Sequence, residues 1–217
     1  MAKKHYLDLM QFFEGYVRNY RRLNINENHN LSMMTNREIE YFANLGEMLG
    51  FDSFVEDSKF DKSKNRSRPM DLAWWKWDLR NDKEYYDHLA LHLERENLSN
   101  KDMDTIDKLF SKTEEGYIPH NVIGIQTVSS KGRTEQMNNL IEKRNTYQQS
   151  NVLMVYRYCD VEKDLERVSA YLFNPKKPVI ERHAVCTRDN FGYWFMCFKE
   201  EYEQYEADKA KKEVQLN

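Results

Sequence analysis

Hydrophobic positions change period several times along the chain, and each change predicts an element. Between residues 5 and 23, Tyr6, Met10, Phe13, Tyr16 and Val17 recur three and four apart, the stripe of an amphipathic helix. Asn24–Leu31 is polar and reads as a loop. Thr35 with Glu38 three residues on has the spacing of a capping box, and predicts a second helix through Ile39, Phe42, Ala43 and Leu45 to Leu49, stopped by Gly50. Residues 51–55 read as a short strand, and residues 69–77 (PMDLAWWKW) as a second.

Residues 85–96 (YYDHLALHLERE) carry the clearest signal. Leu89, Leu91 and Leu93 alternate with Ala90, His92 and Glu94, the period of a strand with its leucine face buried. His88, Ala90, His92, Glu94 and Glu96 then share the opposite face. A helix from Ser99 through Met103, Ile106 and Leu109, a strand at residues 121–128, a helix at 134–147 and a strand at 151–158 follow. Strands separated by such helices imply crossovers and partly parallel pairing. Strands at 168–173 and 193–198 and a polar helix over 198–212 complete the reading. The fold class is mixed α/β, a central mixed sheet flanked by helices.

Composition narrows the classes. The chain has 217 residues, of which 40% are hydrophobic and 13% aromatic, enough for a packed core. Its net charge is only −3 despite 32% charged residues, which excludes a whole-chain basic field and leaves nucleic-acid contact to local patches. The densest patch is Lys59, Lys62, Lys64, Arg66 and Arg68, in a stretch that otherwise reads as a solvated loop. No apolar run matches a signal peptide or a membrane span, and Cys159, Cys186 and Cys197 form no close pair, so a reducing cytoplasm is expected. Phosphate-binding glycine loops and a GxSxG serine elbow are missing.

The chemistry-bearing residues are carboxylates. The strands holding Asp71 and Glu94 form a hairpin, which brings the two acids to one edge of the sheet, with Glu96 beside them. Carboxylates crowded together repel, and a divalent cation relieves that repulsion. Magnesium accepts oxygen ligands, activates water and neutralises charge on phosphorus. Glu38-Ile39-Glu40 on a preceding helix, Pro69-Met70-Asp71, Glu94-Arg95-Glu96-Asn97 and the later Lys108-Leu109 together resemble the PD-(D/E)xK, restriction-endonuclease-like, nuclease superfamily over residues 35–158.

That resemblance implies an αβββαβ core over residues 35–160. Residues 1–34 would form an N-terminal helix and loop, and 161–217 would add strands and a terminal helix packed on the same domain. It implies Asp71 and Glu94 as ligands of Mg2+ or Mn2+, and Glu40, ahead of Glu38 or Glu47, as the helix carboxylate. DNA, ahead of RNA, is the implied partner, met by Lys59, Lys62, Lys64, Arg66, Arg68, Lys131 and Arg133. A second copy of the chain is a further partner, and a membrane is not.

One departure stands out. The family's lysine belongs two residues after Glu94, where this chain has Glu96. Either Lys108 replaces it, or Glu96 serves a second metal, or catalysis is lost. Two readings therefore stay open, a Mg-dependent endonuclease and a non-catalytic binding or assembly module, beside a third in which the carboxylates only solvate a surface. A zinc site from His88, His92 and Glu96 requires that segment to be a helix, against the leucine alternation. Trp74, Trp75 and Trp77 suit core or dimer packing more than base stacking.

Overall fold

The computed structural model describes residues 4–57, 70–77, 86–111, 117–160 and 165–216. The first amphipathic stripe becomes α1 (Leu9–Asn19), capped by Asp8, and runs on as a 3-10 turn, Tyr20–Leu23. The second helix, α2 (Leu31–Met48), starts earlier than the sequence suggests. Asn30 is its cap, accepting from the Met33 amide at 2.9 Å. The Thr35/Glu38 capping box does not form, because Thr35 already lies within the helix and Glu38 is buried beneath it.

The strands are β1 (Asp52–Asp57), β2 (Met70–Trp77) and β3 (Tyr86–Glu96). Helix α3 (Asp102–Leu109) leads to β4 (Asn121–Thr127), and α4 (Lys131–Gln148) to β5 (Asn151–Asp160). β6 (Leu165–Phe173), β7 (Ile180–Arg188), β8 (Trp194–Phe198) and α5 (Lys199–Leu216) close the chain. β7 was not anticipated, because charged residues and a histidine interrupt its apolar alternation.

Eight strands among the described residues form one sheet in sequence order. β1, β2 and β3 make an antiparallel meander, and β3, β4 and β5 run parallel across the α3 and α4 crossovers. β5 to β8 are again antiparallel, so residues 165–198 extend the same sheet. The order from α2 to β4 is helix, three strands, helix, strand.

Period-two alternation gives the sheet two covered faces. Leu91, Leu93, Ile123, Ile125, Leu153 and Val155 pack against Phe13, Tyr16, Ile39 and Phe42 of α1 and α2. Val122, Val152, Met154 and Tyr156 face the other way, against Ile106 and Leu109 of α3 and Met137 and Ile141 of α4. At Gly46 of α2 a Cβ would lie 2.5 Å from the Trp74 ring and from Ser53 Oγ, so only glycine lets this helix close on the sheet. No helix among the described residues is long and apolar enough to cross a membrane.

Candidate active site at the β2–β3–α3 cavity

β3 is covered on both sides from Leu89 to Arg95, so its polar face is not a solvated one. The register pairs Leu72 with Leu93, and one step further Asp71 lies opposite Glu94 on the α3 side. A cavity of about 340 Å³ opens there, lined by Asp71, Glu94, Arg95, Glu96, Lys101, Asp104, Thr105 and Lys108. Asp71 Oδ2 accepts the Arg95 backbone N–H at 2.8 Å. Lys108 Nζ donates to Glu94 Oε2 at 2.9 Å, and His92 Nε2 stands 2.9 Å from Glu94 Oε1. Four residues expected from the sequence, Asp71, Glu94, Glu96 and Lys108, are therefore in one place, with His92 beneath them.

The charges are unequal. Burial and the neighbouring Glu94 charge push Asp71 up to about 6, against the Arg95 amide and Lys108. Burial also works to raise Glu94, but His92 and Lys108 outweigh it and hold Glu94 below the usual carboxylate range. Burial works against the Lys108 ammonium, and Glu94, Asp71 and Glu96 reverse the balance, keeping it above the ordinary lysine value. Burial with no cation bonded to it raises Asp71, whereas the directly bonded His92 and Lys108 lower Glu94, and that difference in partners splits the pair.

Among the described residues, no group of three His, Cys, Asp or Glu is placed to hold a metal ion by itself. Two adjacent carboxylates nevertheless suit magnesium, which ordinarily takes one or two from the protein and completes its shell with water and substrate phosphate. The zinc alternative falls with the secondary structure: residues 86–96 form a strand, so His88, His92 and Glu96 do not share one helix face.

No protein-family model matches the chain, and no curated protein sequence matches it. Among solved structures it is similar to the central domain of yeast acetyl-CoA carboxylase, at a TM-score of 0.40 and 7% identity over 75% of this chain. The match spans 26% of that protein's chain and carries no argument about chemistry.

Glu40 does not reach the cavity. It lies on the outer face of α2, its side chain 61% exposed and 3.6 Å from Arg37. Residues two apart on a helix point in nearly opposite directions, and Ile39 and Phe42 fix which face turns inward. Glu38 is therefore the buried acid, but on the other side of the sheet. It accepts from Tyr16 at 2.7 Å, from Tyr20 at 3.0 Å, and from the Arg95 and Arg157 guanidiniums. Arg157 also grips Glu166 through two bonds of 2.8 and 2.5 Å, so the two arginines balance two carboxylates. Burial would raise Glu38, and the arginines instead hold it down to about 2.

Lys59, Lys62, Lys64, Arg66 and Arg68 lie outside the described residues. Lys131 and Arg133 open α4 and do not line the cavity. Arg133 is engaged by Asp102 of α3 at 2.6 and 3.0 Å. Trp74 and Trp75 are fully buried, which removes them as surfaces for base stacking. Lys101, Asp104 and Thr105 were missed, although Lys101, Thr105 and Lys108 follow the four-then-three spacing of one helix face.

Proposed function

We propose that the protein is a metal-dependent nuclease-like domain that hydrolyses DNA phosphodiester bonds in the cavity between β2, β3 and α3. It would work in a reducing cytoplasm, where Cys159, Cys186 and Cys197 stay free thiols. The observation that carries the reading is the convergence of Asp71, Glu94 and Lys108 on one cavity. The strand order from α2 to β4 agrees with the αβββαβ core that the PD-(D/E)xK resemblance implies.

Asp71 and Glu94 would hold Mg2+ or Mn2+, which when bound would lower the pKa of a water and neutralise charge developing on phosphorus. His92 fixes one oxygen of Glu94 from below, leaving its rotamer set before any ligand arrives. Lys108 supplies the ammonium that Glu96 cannot. It sits on the next helix and reaches the same strand glutamate, and an entering phosphate oxygen competes with Glu94 for it. Lys101 adds a second cation on the cavity wall. Phosphoryl chemistry needs positioned positive charge around the equatorial oxygens, and these two lysines flank the acids in that sense.

The test is cleavage of plasmid and oligonucleotide DNA by the full chain with Mg2+ or Mn2+. Asp71→Asn and Lys108→Met should each lose at least a hundredfold in rate while remaining folded. Failure to cut any DNA or RNA with either ion overturns the catalytic reading. A second reading, a non-catalytic binding or assembly module, is favoured by Glu96 standing in the lysine position. DNA retention that ignores both EDTA and Asp71→Asn would select it.

A further inference from the structure

Glu38 lies under the sheet, yet one residue links it to the cavity above. Arg95 sits on β3 between Glu94 and Glu96; it contributes to the cavity lining, but its guanidinium reaches Glu38 on the side of the sheet covered by α1 and α2. Its backbone N–H donates to Asp71 at 2.8 Å. Its guanidinium donates through Nε to Glu38 and through Nη1 to the Glu96 carbonyl at 2.7 Å. The guanidinium is nearly fully buried, and so is Glu38, with side-chain exposures of 4% and 1%. Neither partner has water to fall back on, so their mutual geometry is strongly enforced.

We propose that Glu38 is a positioning residue that grips Arg95 from beneath and so fixes the backbone presenting Glu94 and Glu96 and docking Asp71. Three features support this over a ligand role for the helix carboxylate. Glu38 Oε1 already accepts from three donors, Tyr16, Tyr20 and Arg157, and Oε2 from Arg95, so two guanidiniums pair with it where Glu94 has one lysine and a histidine. The sheet separates Glu38 from the cavity. The Arg95 fork also closes on its own strand at Glu96, so a shift of the guanidinium is felt where the strand ends. Glu166 provides the internal comparison: its side chain, 27% exposed, joins the same charge cluster through Arg157 and not through Arg95.

The consequence for metal uptake rests on the cation-site reading above, whereas the consequence for the backbone does not. The experiment therefore measures both on the full chain, by hydrogen exchange of the Arg95 amide and by calorimetric titration with Mn2+. Glu38→Gln should speed exchange of the Arg95 amide at least tenfold and weaken Mn2+ binding at least tenfold. Glu166→Gln, compared at equal distance below its own Tm, should leave both within about twofold. Should Glu38→Gln fail to fold, Arg95→Lys, which keeps the charge and loses the fork, should give the same two losses. Wild-type exchange and affinity in Glu38→Gln, or equal losses in Glu38→Gln and Glu166→Gln, would overturn the positioning role. Wild-type protein that takes up no Mn2+ would sink the cation-site reading while leaving the amide-exchange result to decide the role of Glu38.

Discussion

Replacing Asp71 by asparagine should make the metal-free protein more stable at neutral pH, not less. The structure raises the Asp71 carboxyl from 3.8 to about 6, through burial first and the Glu94 charge second. A raised carboxyl favours the protonated form, so its stabilising contribution is complete below the unfolded value and is lost as pH climbs through the folded one. About two pH units at ~1.36 kcal/mol each give about 3 kcal/mol of destabilisation by ionised Asp71 above pH 7. Asparagine carries no charge and keeps an oxygen to accept the Arg95 amide, now 2.8 Å away. Urea unfolding of both proteins from pH 4 to pH 8 should therefore show near-equal stability at the acid end. At the alkaline end the variant should lead by about 2–3 kcal/mol, roughly 4–12 °C in Tm for a chain of this size. If the proposed function holds, adding Mg2+ should close the gap, because only the wild type keeps both proposed carboxylate ligands, and 100-fold excess over Kd stabilises by about 2.7 kcal/mol. A variant that is less stable at pH 8, or a difference that ignores pH, would refute the electrostatic account. A pH-dependent difference that Mg2+ leaves untouched would keep the crowded pair and dismiss the cation.

Two further outcomes test the scaffold by chemical denaturation. Gly46→Ala should cost about 1–3 kcal/mol, since its Cβ would fall 2.5 Å from the rigid Trp74 ring. Asn30→Ala should cost about 1 kcal/mol by orphaning the Met33 amide, which Asn30 Oδ1 accepts at 2.9 Å.

How far the sequence could be read depends on what kind of signal each residue carries. Strand alternation is local, and it correctly separated Leu91 and Leu93 from His92 and Glu94. Hairpin pairing of β2 with β3 then brought Asp71 to Glu94 by register alone. Lys108 could be named as a candidate because helix α3 returns directly over the strand it follows, and its ammonium does lie beside Glu94. What local pattern lacks is knowledge of the third dimension. It placed His92 and Glu94 on the face opposite the leucines without telling whether that face is covered, and both are buried. It preferred Glu40 to Glu38, because two acids either side of an isoleucine look alike until Tyr16, Tyr20, Arg95 and Arg157 select one of them.

Those four partners come from α1, the turn after it, β3 and β5, at separations of 18 to 119 residues from Glu38. No window on the sequence spans them. An isolated buried carboxylate would cost several kcal/mol, so a helix glutamate can turn inward only once two strands have delivered their arginines. The acid that counts is thus chosen by the assembled sheet rather than by its helix. The same assembly explains why Arg95, a charged residue between two acids, is oriented away from them. Its guanidinium pairs with Glu38 beneath the sheet, while its backbone N–H donates to Asp71.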